Sequence, residues 1–335
     1  MRDFGKDEFR PEATLKREQL ARALFRAFGN GESAGPTFTD LPTASPYYRG
    51  ASVAVKLGWM TAPGGAFSPS AAVTKITLDR ALTRALGLKA EIRGLNRIRT
   101  SDGQQLARPP GFGFLVLAHQ LRLHYNHGGS SEERELWPSD PVRRADGAYA
   151  LHQAAITPSH RISALGRYRS VVLPTMGATR RQVVEFALAQ VGAPYVYAGE
   201  WHEPTRSGYC CGSQAQGGFD CSGFVWWVMR APDPMWDNTA YRPYRGWKLP
   251  ERSSADMARE APTRIAYGKT RPMDLLFFDT AKSGTGWRGV NHAGLMLGGG
   301  WMIHSASGID GVGIDWVGDG WYRDRYVWAR RLIGT

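Results

Sequence analysis

Phe219-Asp220-Cys221-Ser222-Gly223-Phe224 sets a cysteine between a carboxylate and a Ser-Gly pair, where an apolar run from Phe224 to Met229 begins. The run reads as a buried helix with Cys221 at or near its N-terminus. Unpaired N–H groups and the positive dipole end of a helix favour an anion, so this position predicts a thiol that ionises more readily than a free one. A thiolate is a nucleophile, and two downstream histidines are suited to serve it. His292 lies in Asn291-His292-Ala293-Gly294-Leu295-Met296-Leu297-Gly298 and His304 in Trp301-Met302-Ile303-His304-Ser305-Ala306. In such a set Cys221 attacks a carbonyl, His292 accepts its proton and later donates to the leaving amine, and His304 holds the His292 ring in orientation. The Cys221 backbone N–H and Tyr195 are the candidates for stabilising the oxyanion.

The elements that must position these residues occupy the second half. Ala178 to Gly192 has the apolar face of an amphipathic helix, and Ala193-Pro194-Tyr195-Val196-Tyr197-Ala198-Gly199 follows as an extended turn. A Gly-rich insertion, Glu200 to Gly218, then leads to the Cys221 helix. Met273 to Phe278 reads as a strand, and Val290 to Leu297 with Trp301 to His304 as a hairpin turned by Gly298-Gly299-Gly300. Tyr322 to Leu332 reads as a closing strand. Helices followed by a mainly antiparallel sheet make an α+β arrangement.

The first half carries an internal repeat. Phe9 to Glu18, Phe67 to Lys75 and Trp137 to Asp146 each hold an aromatic, a proline at a set offset, a small hydrophobic or Thr step and a basic residue. They run into amphipathic helices at Gln19–Phe28, Thr77–Leu86 and Gly147–Ala155, and leading helices fit Tyr47–Gly58 and Phe114–Tyr125. The first unit lacks a leading helix, as if the chain began mid-repeat. The expected division is repeats over residues 1–170, a linker over 171–177 and a second domain over 178–335.

A chain of 335 residues with 42% hydrophobic and 21% charged residues has the material for two ordinary globular domains. Its net charge of +12 favours a polyanionic neighbour. No arginine-rich helix interleaved with aromatics marks a nucleic-acid binder. Cys210, Cys211 and Cys221 are too few for a disulfide framework and form no CxxC pair, and the adjacent two are open to a vicinal disulfide, free thiols or other pairings. His119, His124 and His127 do not share one helix face and no carboxylate cluster accompanies them, so neither a metal nor a cofactor is expected. No stretch approaches the roughly 18 apolar residues of a membrane span. Met1 to Arg10 lacks an apolar signal core, leaving export by a segment missing from this chain or release by lysis.

The first-half pattern resembles the S-layer homology repeat, most clearly from Phe38-Thr39-Asp40 through Leu88. The resemblance implies an all-α domain of three helix-pair repeats packed as a prism, with wall-linked anionic polymer as its ligand. It carries that family's basic position onto Arg17, Lys75 and Arg144, although the family's Thr-Arg-Ala-Glu reads Lys-Arg-Glu, Thr-Lys-Ile and Arg-Arg-Ala here.

The second half resembles the NlpC-type cell-wall cysteine peptidases, a papain-like family, over nearly all of Ala178 to Thr335. The matching motifs are Gly-x-Pro-Tyr at Gly192–Tyr195, Asp-Cys-Ser-Gly at Asp220–Gly223, Asp-Leu-x-Phe-Phe at Asp274–Phe278, His-x-Gly-x-x-x-Gly at His292–Gly298 and Ile-His-Ser-Ala at Ile303–Ala306. Met273 stands where that family usually has Gly, and the insertion is longer than typical. The resemblance implies a secreted or lysis-released endopeptidase of the extracellular space or cell wall. It implies cleavage of peptidoglycan stem peptides between D-glutamate and a diamino acid, with Asp220 and Ser222 binding the free α-amino end. Two other readings stand beside it: a non-catalytic wall-binding protein, and a thiol amidase or acyltransferase on the same fold.

Overall fold

Three backbone hydrogen bonds close the repeats into a ring. Leu15 N–H donates to Val142 O (2.8 Å), Val142 N–H to Val73 O (2.9 Å) and Val73 N–H to Leu15 O (2.9 Å). All three side chains are fully buried. This is a computed structural model describing residues 8–125, 136–230 and 249–334. The chain divides into two units, the first holding the described residues of Met1–Asn96, Gly113–Ser131 and Leu136–Arg169. Its helices are α1 (Arg17–Phe28), α2 (Tyr48–Lys56), α3 (Lys75–Ala85), α4 (Lys89–Leu95), α5 (Phe112–Gln120), α6 (Arg144–Ile156) and α7 (Ser159–Ala164). The ring residues sit two positions before α1, α3 and α6. The first N–H of each of these helices has no intrahelical acceptor. The neighbouring motif supplies one: Arg17 N–H meets Ala71 O, Lys75 N–H meets Asp140 O and Arg144 N–H meets Ala13 O.

That arrangement corrects the reading of the basic positions. Each is the first residue of its helix, and Lys75 and Arg144 are only 2% exposed. Lys75 Nζ pairs with Asp79 Oδ2 one turn on (3.2 Å), and the Arg144 guanidinium lies over the Phe9 ring (5.6 Å). Neither is available to a polymer. Arg17 is half-buried, covers the Phe67 ring and donates to Phe67 O and Thr61 O. The carboxylate that the histidine cluster lacked in sequence comes from α3: Asp79 Oδ1 meets His124 Nε2 at 2.5 Å. His127 lies outside the described residues.

The second unit holds the described residues of Arg97–Phe112 and Ser170–Thr335. Strands β1 (Arg99–Thr100) and β2 (Val172–Leu173) pair in parallel, so the stretch 171–177, read as a linker, carries a strand of this unit. Helix α8 (Ala178–Ala189) follows, then the antiparallel pair β3 (Glu200–Trp201) and β4 (Gly218–Phe219), and helix α9 (Cys221–Arg230). Helix α10 (Ser254–Arg259) precedes strands β5 (Leu275–Phe278), β6 (His292–Gly298), β7 (Trp301–Ala306) and β8 (Gly311–Trp316), the short helix α11 (Gly320–Arg323) and strand β9 (Tyr326–Arg330). The five strands form one antiparallel sheet in the order β8-β7-β6-β5-β9. This is the expected α+β layering, and α9 packs on β6 and β7.

The β6–β7 turn is made by Gly299 and Gly300, with φ of 59° and 85°, the left-handed values that a tight hairpin turn demands. Met273 has φ 68°, a conformation that glycine adopts freely and methionine does not. The backbone conformation at this position thus accounts for a glycine in the resembling family. Leu276, Phe278, Met296, Met302, Val317 and Ala329 pack together on one side of the sheet.

Asp79 carries a pH signature for the first unit. Burial alone would raise its carboxyl, but Lys75 and then His124 more than reverse this and hold it below the ordinary 3.8. A carboxyl lowered by folding adds stability above its unfolded pKa, and that stability is lost as pH falls through the folded value. Asp79→Ala leaves Lys75 buried without its counter-charge and is expected to destabilise the unit by about 3–5 kcal/mol near neutral pH. Urea unfolding followed by circular dichroism measures this, and the deficit should shrink below pH 3.8. A deficit independent of pH would show that the ion pair is not its source.

Candidate active site

Cys221 is the first residue of α9, so its own N–H opens the helix without an intrahelical acceptor. Two contacts set its height against the sheet. Ser305 Oγ, next to His304 on β7, donates to Phe219 O (2.6 Å), and Tyr195 pairs with Phe219 through the backbone. Phe219 is two residues before Cys221, which ties the thiol's position to both the Gly-x-Pro-Tyr turn and the histidine strand. Backbone N–H groups of Ala293, beside His292, and of Ser222 reach the thiol.

His292 and His304 face each other across the β6–β7 pair, His292 Nε2 to His304 Nδ1 at 2.8 Å. Both rings are buried, and Tyr322 of α11 packs against both, with centroids 5.9 Å and 5.2 Å away. Gly294 makes room on the strand, since a Cβ there would lie 3.1 Å from the His304 Cβ. Behind the pair, Asp315 Oδ2 of β8 is 3.8 Å from His304 Nε2. That spacing is too long for a hydrogen bond but short enough for its charge to act. A proton on His304 Nε2, facing the carboxylate, leaves Nδ1 to accept the His292 Nε2–H. His292 Nδ1 is then the bare basic nitrogen. Asp315 and Tyr322 were not singled out in the sequence, because β8 and α11 carry no motif of their own.

The electrostatics differ from the helix-dipole expectation. Burial first, and the Asp220 carboxylate second, push the Cys221 thiol up to about 11, against the N–H groups of Ala293 and Ser222 and the Arg252 charge. Burial, then the neighbouring His304, hold His292 well below the ordinary 6.5. Both shifts favour the neutral forms, a protonated thiol and a neutral imidazole. Such a pair activates the thiol by general-base transfer during attack rather than by a standing thiolate.

Asp220 and Ser222 are engaged internally rather than presented to solvent. Asp220 Oδ1 accepts from Gly223 N–H (2.6 Å), Ser222 Oγ (3.1 Å) and Arg252 Nη1 (3.0 Å), and Oδ2 accepts from Arg252 Nη2 (3.0 Å). Ser222 is buried, and its Oγ also accepts from Arg252 Nη1 (2.8 Å). A carboxylate and a hydroxyl placed in this way brace the helix start. Tyr195 is half-buried at the turn.

The insertion folds around Gln214, whose Oε1 accepts the N–H groups of Glu200 and Trp201 and whose Nε2 donates to Trp201 O and Gly218 O. Cys210 and Cys211 are joined to each other. The Cys210 N–H donates to Glu200 Oε1 (3.0 Å).

Residues 192–331 match the model of the NlpC/P60 family. A probable endopeptidase of Mycobacterium tuberculosis is 32% identical over 131 residues, 39% of this chain and 24% of the relative. The probable peptidoglycan endopeptidase LytE of Bacillus subtilis is 30% identical over 151 residues, 45% of this chain and 34% of the relative. The chain thus spans about a quarter to a third of the length of these curated relatives. Among solved structures, an NlpC/P60 family protein from Bacillus cereus is similar at 25% identity and a TM-score of 0.34, covering 48% of this chain and 42% of the other. The peptidoglycan hydrolase RipB from Mycobacterium tuberculosis is similar at 22% identity and a TM-score of 0.32, covering 52% and 79%. Residues 192–331 of this chain form an NlpC/P60 domain.

Proposed function

We propose that this protein is a cysteine endopeptidase that cleaves the stem peptides of peptidoglycan, between D-glutamate and a diamino acid. The observation that carries the reading is the His292 Nε2 to His304 Nδ1 contact of 2.8 Å on the strand whose Ala293 N–H reaches the Cys221 thiol. Cys221 Sγ attacks the scissile carbonyl while His292 Nδ1 takes its proton. The C–N bond breaks as His292 returns that proton to the leaving amine. Water, deprotonated by the same nitrogen, then releases the acyl group from sulfur. His304 orients His292, with Asp315 biasing its tautomer. The Cys221 N–H and Tyr195 stabilise the oxyanion. The name of a similar protein, a probable peptidoglycan endopeptidase, supports this substrate class. The same name supports an extracellular or cell-wall location.

The first unit is proposed to retain the enzyme on the wall. Its threefold ring and the chain's net charge of +12 support an anionic wall polymer as the ligand. With Lys75 and Arg144 buried, the contact falls to the half-buried Arg17 and to exposed cations.

Cys221→Ser should abolish release of soluble fragments from purified peptidoglycan, read by mass spectrometry, with an unchanged circular dichroism spectrum. Losses of several orders of magnitude are expected because the members of such a set act as a unit. A variant that still releases fragments would overturn the assignment of Cys221. Because Asp220 is bonded to Arg252, a free stem tripeptide and its N-acetylated form should give kcat/KM values within about threefold of each other. A charge-assisted contact to the substrate would instead separate them by about tenfold or more. The full chain should sediment with purified walls, and less so as salt screens charges over roughly 8 Å or when anionic polymers are stripped. Sedimentation indifferent to stripping would leave the first unit as a spacer.

A further inference from the structure

Arg252 belongs to none of the motifs singled out in the sequence, yet its guanidinium is fully engaged. Nε donates to Glu200 Oε2 (2.7 Å), Nη1 to Asp220 Oδ1 (3.0 Å) and Ser222 Oγ (2.8 Å), and Nη2 to Asp220 Oδ2 (3.0 Å) and Gly199 O (3.0 Å). These five bonds match the five N–H donors that arginine has. The side chain is only 9% exposed. Its acceptors come from two places: Gly199 and Glu200 at the head of the insertion, and Asp220 and Ser222 on either side of Cys221.

We propose that Arg252 is a positioning residue for Cys221: its fork clamps the first turn of α9 to Gly199–Glu200 and balances the Asp220 carboxylate beside the sulfur. Two further observations support this. Gly223 is the residue that lets the clamp close, since a Cβ there would lie 2.0 Å from Gly199 O and 2.7 Å from Arg252 Nη2. The charges also require it. Arg252 neutralises Asp220, the residue before Cys221, and pairs with Glu200 on the insertion. Among the described residues, the other titratable groups at the site include His292 and His304 from the sheet, Tyr322 against both rings and Asp315 behind His304. Without Arg252 the thiolate would form beside an Asp220 carboxylate left without its counter-charge. Lysine would not replace the clamp, because an ammonium has three donors and no planar fork. Asp220 raises the Cys221 thiol and Arg252 lowers it, in keeping with this geometry.

The proposal rests on Cys221 as the nucleophile for its catalytic consequence, but its test reads the sulfur directly. Because Cys210 and Cys211 are bonded to each other, iodoacetamide without reductant reports on Cys221. At a fixed mildly alkaline pH, Arg252→Gln should slow alkylation by about tenfold, and Asp220→Asn, which keeps a helix-capping oxygen, should speed it by about tenfold. The double variant Asp220→Asn/Arg252→Gln should return to within about threefold of the parent. A merely structural arginine would lower the melting temperature and leave these rates in place. Parent-like alkylation in folded Arg252→Gln, or a double variant as slow as Arg252→Gln, overturns the proposal. Should Arg252→Gln not fold, Asp220→Asn decides: faster alkylation supports the charge balance, and an unchanged rate overturns it. Retained hydrolysis in Cys221→Ser would sink the peptidase reading while leaving this series interpretable.

Discussion

The site depends on the register between β6 and β7. His292 and His304 come from opposite strands of one hairpin, and their 2.8 Å contact exists because both rings project from the same face. Side chains alternate along a strand, so a one-residue slip would turn one ring to the other side of the sheet. Gly299 and Gly300 set the turn. The Ser305 bond to Phe219 O then transmits the register to the start of α9. One short turn therefore fixes the histidine pair and, through it, the place of the thiol.

Burial shapes the chemistry more than the helix dipole does. A thiol at a helix N-terminus is favoured as an anion in isolation. Here it is half-buried beside a carboxylate, and desolvation with that charge pushes it up to about 11 while the His292 imidazole is pushed down. Both shifts favour neutral forms, since a charge removed from water must be replaced by partners. On the proposed reading, the cost is a less ionised nucleophile at rest and the gain is a base with a free lone pair. Arg252 belongs to the same balance, because it lets Asp220 brace the helix without leaving its charge uncompensated beside sulfur.

The first unit solves a different problem with similar means. Helices α1, α3 and α6 each begin with an N–H that must find an acceptor outside the helix, and each takes it from the adjacent repeat. Closing three copies on one another satisfies all of them at once, around Leu15, Val73 and Val142. The cation that opens each of these helices is drawn inward or laid over an aromatic ring. Lys75 is buried because Asp79 is buried beside it, and Asp79 is buried because His124 and Lys75 both reach it.

The sequence by itself determined the parts that depend on local order. The apolar run behind Cys221, the strands around His292 and His304, the glycine turn between them and the recurrence of one motif at Phe9, Phe67 and Trp137 are all local signals. The α+β layering followed from them. What only the tertiary structure decided were the partners. Arg252 meets Asp220 across 32 residues and Asp79 meets His124 across 45. Asp315 reaches His304 from a strand that no motif announced. No spacing rule links such residues, because the whole fold between them sets whether they meet. Asp220, Ser222, Lys75 and Arg144 were legible as chemically capable side chains, but their exposure was not. Whether a charge faces a ligand or a neighbour depends on what the fold packs against it, and that choice is made by burial and hydrogen-bond satisfaction over the whole unit.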